Sequence, residues 1–311
     1  MPQSKPKPSE IALEAKRKYL PGLEASEQWR AYMCGSFLIK DTAEVSITDD
    51  KRSYGRPRVT VEDGDPVNTV IGARAYGSMA LVNTANERKA GGDWESGFTA
   101  AEECLARRST LIHALKHSYQ SGGKADRFYP IPQRGSIYSP HVGMFLWSLR
   151  SGHHSNRLSS VIFRDGEKGS YRPYEQYQDI PVISVAPIRG PRLDVSGSDY
   201  SFPEERELME SKMKAILRTA AWASIPRLCI AAFGIGPVFK NPARVTALMW
   251  KQLLFHDQEF YGAFEDIVFA IDTSSSSSSK TTQADLDAYR DVFHPSNVLP
   301  TQYRTSQFAY D

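Results

Sequence analysis

Apolar runs and amphipathic stretches alternate along most of the chain. Short runs rich in Val, Ile and Leu predict buried strands, at residues 59–62, 79–83, 161–163, 181–188, 227–233 and 266–272. Longer segments with helical spacing of apolar residues predict helices, at 9–20, 24–33, 67–76, 98–117, 203–223, 242–255 and 283–293. Strands that alternate with helices indicate parallel strands joined by crossover helices. We therefore predict an α/β fold whose sheet is covered on both faces.

Three segments depart from this alternation. Residues 1–9 are rich in Pro, Lys and Ser and predict a disordered start, and the first two helices follow them. Residues 273–282 are almost all Ser and Thr and predict a flexible insertion. We predict a disordered N-terminus and helical extension over 1–57, and one α/β domain over 58–311 that contains the Ser-rich insertion.

Composition narrows the class of protein. The 311 residues include 38 Lys and Arg against 36 Asp and Glu, a balance that does not favour sequence-specific binding of nucleic acid. No apolar run approaches the ~20 residues that a membrane helix needs, and the N-terminus lacks the apolar region of a secretory signal. The three cysteines are far apart and form no CxxC pair, which indicates reduced thiols. We expect an intracellular monomer, in the cytoplasm or the nucleus.

The stretch LVNTANERKAGGDWESGFTAAEECLARRSTL, at 81–111, is the most informative part of the sequence. Its candidate functional residues are Asn83, Asn86, Gly91, Gly92, Asp93, Glu102 and Glu103. A buried strand delivers the asparagines to its carboxyl end, where ligands bind in open α/β sheets. The glycines allow close approach of backbone N–H groups, and the following helix start suits a phosphate. Alternatively, the glutamates form a solvated helix face on which Glu103 pairs with Arg107.

A second strand runs into GIGPVFKNP, at 234–242. Its candidate ligand contacts are Gly234, Ile235, Gly236, Val238, Phe239 and Asn241. Successive N–H groups in such a turn form an anion-binding nest, and Asn241 is suited to cap the helix that Pro242 begins. A dinucleotide-binding loop is not favoured, because the third glycine and the later acidic residue are absent. A strand–helix connection that merely needs glycine is the alternative.

The sequence gives less support to a metal site or to serine-hydrolase chemistry. His113 and His117 have the spacing of paired metal ligands, but the HExxH glutamate is absent. His153 and His154 lie in a polar segment and predict an exposed loop. The GxSxG motif of serine hydrolases is missing. We expect neither a metal nor a cofactor.

Residues 58–272 resemble the macrodomain-type poly(ADP-ribose) glycohydrolases, in particular their microbial and fungal branch. That family's signature is a strand ending in Asn-x-Ala-Asn, a glycine triplet, several residues and then Gln-Glu-Glu. The matching segments here are NTAN at 83–86, Gly91-Gly92, AEE at 101–103, LARRS at 105–109 and the GIGPVF loop. The resemblance implies a three-layer α/β/α macrodomain-like fold with a mixed, mostly parallel sheet.

The resemblance also implies a hydrolase that cleaves the O-glycosidic bond of poly- or mono-ADP-ribose, with ADP-ribose or ADP-ribosylated protein as its partner. It assigns the acid/base role to Glu103 and the orientation of ribose hydroxyls to Glu102. The sequence departs from the signature because Asp93 replaces the third glycine, Ala101 replaces the glutamine and Pro237 lengthens the second loop. We expect the Asp93 carboxylate to repel a diphosphate. The alternatives are an ADP-ribose-binding reader with weak or lost catalysis, and a hydrolase of another nucleotide–sugar conjugate.

Overall fold

A computed structural model describes residues 7–27, 35–73, 77–116, 128–148, 171–273 and 279–298. Its strands are β1 (Phe37–Ile39), β2 (Arg58–Glu62), β3 (Ala80–Thr84), β4 (Ser136–Ser148), β5 (Tyr171–Val185), β6 (Arg227–Ile230) and β7 (Asp266–Ala270). Its α-helices are α1 (Pro8–Glu14), α2 (Leu20–Ala25), α3 (Pro66–Gly72), α4 (Ala101–Arg107), α5 (Leu111–Ala114), α6 (Pro203–Trp222), α7 (Gly236–Phe239), α8 (Ala243–Phe255), α9 (Ser279–Val292) and α10 (Pro295–Val298).

The strands form one mixed sheet in the order β1-β4-β5-β3-β6-β7-β2. Five of them, from β5 to β2 in that order, run parallel to one another. Strand β4 runs antiparallel to both of its neighbours, β1 and β5. The predicted mixed and mostly parallel sheet is confirmed.

Helices cover both faces of the sheet, as the alternating apolar pattern predicts. Helices α6, α8 and α9 pack on the face that receives Val82, whereas α3, α4 and α5 pack on the face that receives Leu81. Consecutive residues of a strand point to opposite faces, so β3 needs an unbroken apolar run to be buried on both. The three-layer α/β/α architecture is thus confirmed.

The N-terminal helices pack beneath the stretch that contains the candidate glutamates. The predicted helix break at Pro21 is wrong, because a π-helical turn at Ala15–Tyr19 leads directly into α2. Pro21 is the second residue of α2, which follows this turn directly. Tyr19 stacks on Phe145, with ring centroids 4.9 Å apart, and Leu23 is fully buried in the same cluster. The extension therefore shares a small apolar core with α4.

The predicted single helix over 98–117 is wrong. Helix α4 ends at Arg107. The backbone that follows it pairs with residues of β4 that do not pair with β1. Thr110 donates its N–H to the Gly143 carbonyl, and Phe145 donates to the Arg108 carbonyl, both at 2.9 Å. Arg108, with φ −118° and ψ 12°, departs from helical dihedral angles, so α5 begins as a separate helix.

Strands β1 and β4 escape prediction from the apolar pattern. Pro140 and Gly143 interrupt β4, and its pairing with β5 shifts register between Ser139 and Val142. Proline, which lacks an N–H group, is accommodated at such irregular positions.

Several sequence predictions lie outside the described residues. These are the strand at 161–163, the residues His117, His153 and His154, and residues 274–278 of the predicted insertion. Helix α9 begins at Ser279, within the predicted insertion. In the part of the chain that the structure describes, no helix is long and apolar enough to cross a membrane. The monomeric state, the intracellular location and the domain boundary at residue 58 stay predictions.

Candidate active site

Three neighbouring parallel strands end at one edge of the sheet. Strand β3 lies between β5 and β6, so the segments that follow all three strands meet at this edge. The first predicted glycine loop follows β3, and the second follows β6. The topology therefore brings the two loops together, as binding of a phosphate-containing ligand requires.

Glu102 is buried beneath the first glycine loop and accepts three hydrogen bonds. Its Oε2 accepts the N–H of Asn86 at 2.6 Å, and its Oε1 accepts the N–H of Gly91 at 3.2 Å. The side-chain amide of Asn83 donates to Oε1 at 3.3 Å. Only 3% of Glu102 is exposed to solvent. The alternative of a solvated helix face is therefore wrong for this residue.

Burial dominates the protonation of Glu102. It raises the pKa of this carboxyl group to about 8, although the three donated hydrogen bonds oppose the shift. The charge of Glu103 acts in the same direction as burial. At neutral pH the Glu102 carboxyl group therefore retains its proton. Such a perturbed acid beside a glycine loop at the carboxyl end of a sheet is typical of a functional site.

Glu103 is also buried and contacts the same loop. Its Oε1 accepts the backbone N–H of Asp93 at 3.2 Å. Gly92, with φ +55°, lies directly against this carboxylate, and a Cβ atom there would stand 2.2 Å from Oε1. Gly92 is thus required both for its left-handed backbone and for the space that Glu103 occupies. Gly91, with φ +70°, leaves no room for a Cβ beside the Ile112 side chain.

Asp93 does not present an uncompensated charge. Its exposed carboxylate pairs with Lys89 at 2.9 Å, four residues earlier. The side chain of Asn86 stabilises the turn that leads into Lys89, because its Oδ1 accepts the N–H groups of Arg88 and Lys89 at 2.9 and 3.1 Å. The expected repulsion of a diphosphate by Asp93 is therefore weakened by the neighbouring ammonium group.

Asn241 has a different role from the predicted helix cap. Helix α8 has Pro242 at its N-cap position, and no side chain caps it. The Asn241 amide instead donates to the carbonyls of Ile188 and Gly234, at 2.8 and 2.6 Å. Its Oδ1 accepts the Tyr200 hydroxyl at 2.8 Å. The buried Asn241 therefore ties the second glycine loop to the segment that follows β5.

The second loop adopts the backbone that its glycines predict. Gly234 has φ +76°, and a Cβ atom there would approach the Met209 methyl group to 2.4 Å. Gly236 has φ +80° with open space where its Cβ would stand, so a ligand can approach this backbone closely. Pro237 occupies the second position of the short helix α7, which accommodates the extra residue. Of the remaining candidates in this loop, the side chain of Ile235 is buried in the core, whereas Val238 and Phe239 are half-buried.

Two residues at the site are missed by sequence reasoning. Asp285 of α9 accepts a hydrogen bond from the backbone of Gly236, and burial raises the pKa of its carboxyl group to about 6. Tyr129 has a buried hydroxyl without a hydrogen-bond partner among the described residues, and its pKa is raised by burial and by the charge of Glu102. The buried Asn83 Oδ1 likewise lacks a partner there. Neither Asp285 nor Tyr129 lies in a motif, so no local signal could have identified them.

The described residues contain no cluster of three or more His, Cys, Asp or Glu side chains suited to a metal ion. His113, one half of the predicted pair, contacts Glu24 through its Nε2 at 2.6 Å. This contact connects α5 to the N-terminal extension.

The fold and the site together define a macrodomain-like α/β protein with two glycine loops and a buried glutamate pair at one end of its sheet. A family model described as the catalytic domain of microbial-type PARG matches residues 24–146. This match includes β3, the first glycine loop and both glutamates, whereas the second loop lies outside it. The resemblance stated from the sequence is thereby confirmed. No curated protein matches the chain.

Solved structures of bacterial poly(ADP-ribose) glycohydrolases share the fold. The Thermomonospora curvata protein is 18% identical, with a TM-score of 0.64 over 92% of this chain and 99% of that one. The same organism's protein bound to the inhibitor ADP-HPD is 20% identical, with a TM-score of 0.63 and the same coverages of 92% and 99%. The Deinococcus radiodurans protein in complex with ADP-ribose is 22% identical, with a TM-score of 0.59 over 88% and 96%. The chain thus has the architecture of these proteins almost throughout.

Proposed function

We propose that this protein is a glycoside hydrolase that releases ADP-ribose from poly- or mono-ADP-ribosylated protein by cleaving an O-glycosidic bond. The observation that supports this most directly is the pair of buried glutamates held by N–H groups of the first glycine loop. The family match and the fold likeness to proteins solved with ADP-ribose and ADP-HPD support the same substrate class.

In this proposal Glu103 is the acid/base. Cleavage of a glycosidic bond requires a proton for the leaving oxygen while the ribose becomes oxocarbenium-like, and the same carboxylate can then deprotonate water. Gly92 supplies the space for Glu103, and the Asp93 N–H orients its carboxylate at 3.2 Å. A general acid/base placed in this way contributes ~100- to 10,000-fold to the rate.

Glu102 orients the hydroxyl groups of the scissile ribose in the same proposal. Its neighbour Asn83 has a buried Oδ1 without a partner among the described residues, which suits a ribose hydroxyl as donor. Because burial raises the Glu102 pKa to about 8, Glu102 holds its proton at neutral pH before substrate binds.

The two glycine loops bind the diphosphate in this proposal. Gly236 leaves open space where its Cβ would stand, so a diphosphate can approach the backbone of the second loop closely, and the first loop lies beside it after the neighbouring strand β3. Backbone N–H groups of such turns bind anions without a lysine or arginine. The proposal needs no metal and no cofactor.

Incubation with automodified poly- and mono-ADP-ribosylated protein, with chromatographic separation of the products, tests the proposal. We expect free ADP-ribose from the wild-type chain and at least ~100-fold slower release by Glu103→Gln, with ADP-ribose affinity within a few-fold of wild type. Glu207→Gln, a change of an exposed glutamate on α6, is the matched control. ADP-ribose binding without any turnover would instead support a reader, and the absence of both would refute the proposed function.

A further inference from the structure

Two consecutive buried arginines at the end of α4 have different partners. Arg108 forms an ion pair with Asp65, with Nη2 and Oδ2 2.8 Å apart. Arg107 is 1% exposed and donates to backbone carbonyls of the loop that precedes α4. The accepting carbonyls are those of Trp94 at 2.8 Å, Ser96 at 3.3 Å and Phe98. Arg107 thus contacts this loop and does not form the pair with Glu103 that the sequence spacing allows.

The loop that Arg107 contacts is the one that positions the glutamates. Gly91 N–H donates to Glu102 and Asp93 N–H donates to Glu103, and residues 94–98 follow immediately. Of the three carbonyls, the first lies one residue beyond Asp93. A displacement of residues 94–98 therefore moves the donor on which Glu103 depends.

Only a guanidinium group can make these contacts at once. Arginine presents five N–H donors in a rigid planar fork, whereas the lysine ammonium is a compact point charge. Burying a cation is costly unless its donors are satisfied, and here loop carbonyls satisfy them. Burial of Arg107 therefore favours the loop conformation in which all three carbonyls accept its N–H groups.

We propose that Arg107 is a positioning residue for the reaction, which fixes the loop over residues 94–98 and thereby the hydrogen bonds that the loop donates to the two glutamates. The catalytic part of this inference rests on the proposed function, whereas the structural part rests on the hydrogen bonds of Arg107. Arg107 acts through the loop and through Glu103.

Packing of Trp94 offers a competing explanation for the order of the loop. The Trp94 side chain is 6% exposed and belongs to the apolar cluster that the N-terminal helices form with α4. Lys16 of the extension pairs with Glu95 at 2.6 Å on the surface. If these contacts alone fix the loop, a change of Arg107 that preserves its charge leaves the loop in place.

The experiment compares Arg107→Lys with Arg108→Lys. Both variants keep a positive charge and lose a buried guanidinium group, so both are expected to lower the melting temperature. Two quantities are measured well below both melting transitions. The first is kcat and KM for ADP-ribose release from automodified protein. The second is the rate of limited chymotrypsin cleavage after Phe98, with the cleaved site identified by mass spectrometry.

We expect Arg107→Lys to lower kcat by at least ~10-fold with KM within about threefold of wild type, because misplacement of a catalytic group costs rate more than binding. Cleavage after Phe98, which is 42% exposed, is expected to accelerate by at least ~5-fold as the segment opens locally. Arg108→Lys is expected to retain the wild-type kcat and the slow cleavage. Arg107→Gln, whose amide reaches fewer carbonyls, provides a second variant should the lysine variant not fold.

Wild-type kcat and slow Phe98 cleavage in Arg107→Lys would overturn the inference, as would equal effects in the two lysine variants. A wild-type chain that releases no ADP-ribose would refute the proposed function instead. The difference in Phe98 cleavage between the two variants would then still decide whether Arg107 fixes the loop.

Discussion

Substitution of Gly92 by alanine tests the position of Glu103 most directly. Gly92 has φ +55°, and an added Cβ atom would stand 2.2 Å from Glu103 Oε1, where ordinary contacts begin at 3.4 Å. The carboxylate oxygen must therefore move by about 1 Å or more to relieve the contact. Displacement of a catalytic group by about 1 Å costs on the order of 100-fold in rate. We expect Gly92→Ala to lower the rate of ADP-ribose release by roughly this factor.

The effect of this substitution on stability is expected to be much smaller. A left-handed backbone costs an alanine ~1–2 kcal/mol, and the reduced entropy of the unfolded chain returns ~0.4–1 kcal/mol. The net loss of about 1 kcal/mol corresponds to a decrease of ~2–4 °C in melting temperature for a domain of this size. The Glu103 side chain can move instead of the backbone, so the clash adds little to this loss.

Gly97→Ala is the matched control. Gly97 belongs to the same loop, has no left-handed φ and has nothing within 4 Å of its added Cβ position. We expect near wild-type turnover and stability for this variant. Initial rates of ADP-ribose release and thermal melts of both variants measure the difference. If Gly92→Ala keeps a rate within a few-fold of Gly97→Ala, the reasoning that links the Glu103 position to turnover is wrong.

Three further predictions follow from the charged groups of the site. The rate of ADP-ribose release is expected to fall as the pH rises through about 8, because the Glu102 carboxyl group, whose pKa is about 8, then loses its proton and becomes negatively charged beside Glu103; a rate that does not change between pH 6 and 10 contradicts this prediction. Lys89→Met leaves the Asp93 carboxylate without its ion pair and is expected to weaken ADP-ribose binding several-fold at low salt. The double variant that also carries Asp93→Asn is expected to regain the wild-type affinity, and titration calorimetry measures both affinities. The Asp285 pKa is raised from 3.8 to about 6, so the wild type loses stability as the pH rises from about 4 to about 6. Asp285→Asn removes this loss and is expected to raise the melting temperature at pH 7.5 but not near pH 4. Equal increases at both pH values contradict this prediction.

The parallel core of the fold is predictable because its signal is local. Strands β3, β6 and β7 are buried on both faces, so each needs a short unbroken apolar run that is visible in the sequence. Strand β4 gives no such signal, because Pro140 and Gly143 interrupt its apolar pattern. Its pairing depends on β5 and on the backbone after α4, which only the folded chain brings together. The same pairing ends the helix that the periodicity of residues 98–117 predicts.

The candidate site is predictable only where its residues form a motif. The glycines and glutamates of the first loop lie within one short stretch, and their order resembles a known signature. The roles of Arg107 and Asn241 are not predictable in this way, because their partners are backbone carbonyls whose positions depend on the tertiary fold. Asp285 and Tyr129 are even less accessible to sequence reasoning, since each reaches the site from an element that contains no motif.

Buried carboxyl groups at the two ends of the sheet differ in whether their surroundings favour the charged form, and this difference supports the location of the site. At the amino ends of β6 and β7, Asp266 accepts bonds from Arg58 at 2.5 and 2.6 Å and from Arg227 at 2.9 and 3.1 Å, and the first of these arginines contributes most to the lowered pKa of Asp266. That arrangement favours the charged form and stabilises the fold. At the carboxyl ends, burial disfavours the charged form of Glu102, and Asn83 Oδ1 has no partner among the described residues. Proteins retain such unfavourable groups mainly where function requires them. The unfavourably buried groups of Glu102 and Asn83 thus lie at the end of the sheet where the glutamate pair and both glycine loops meet.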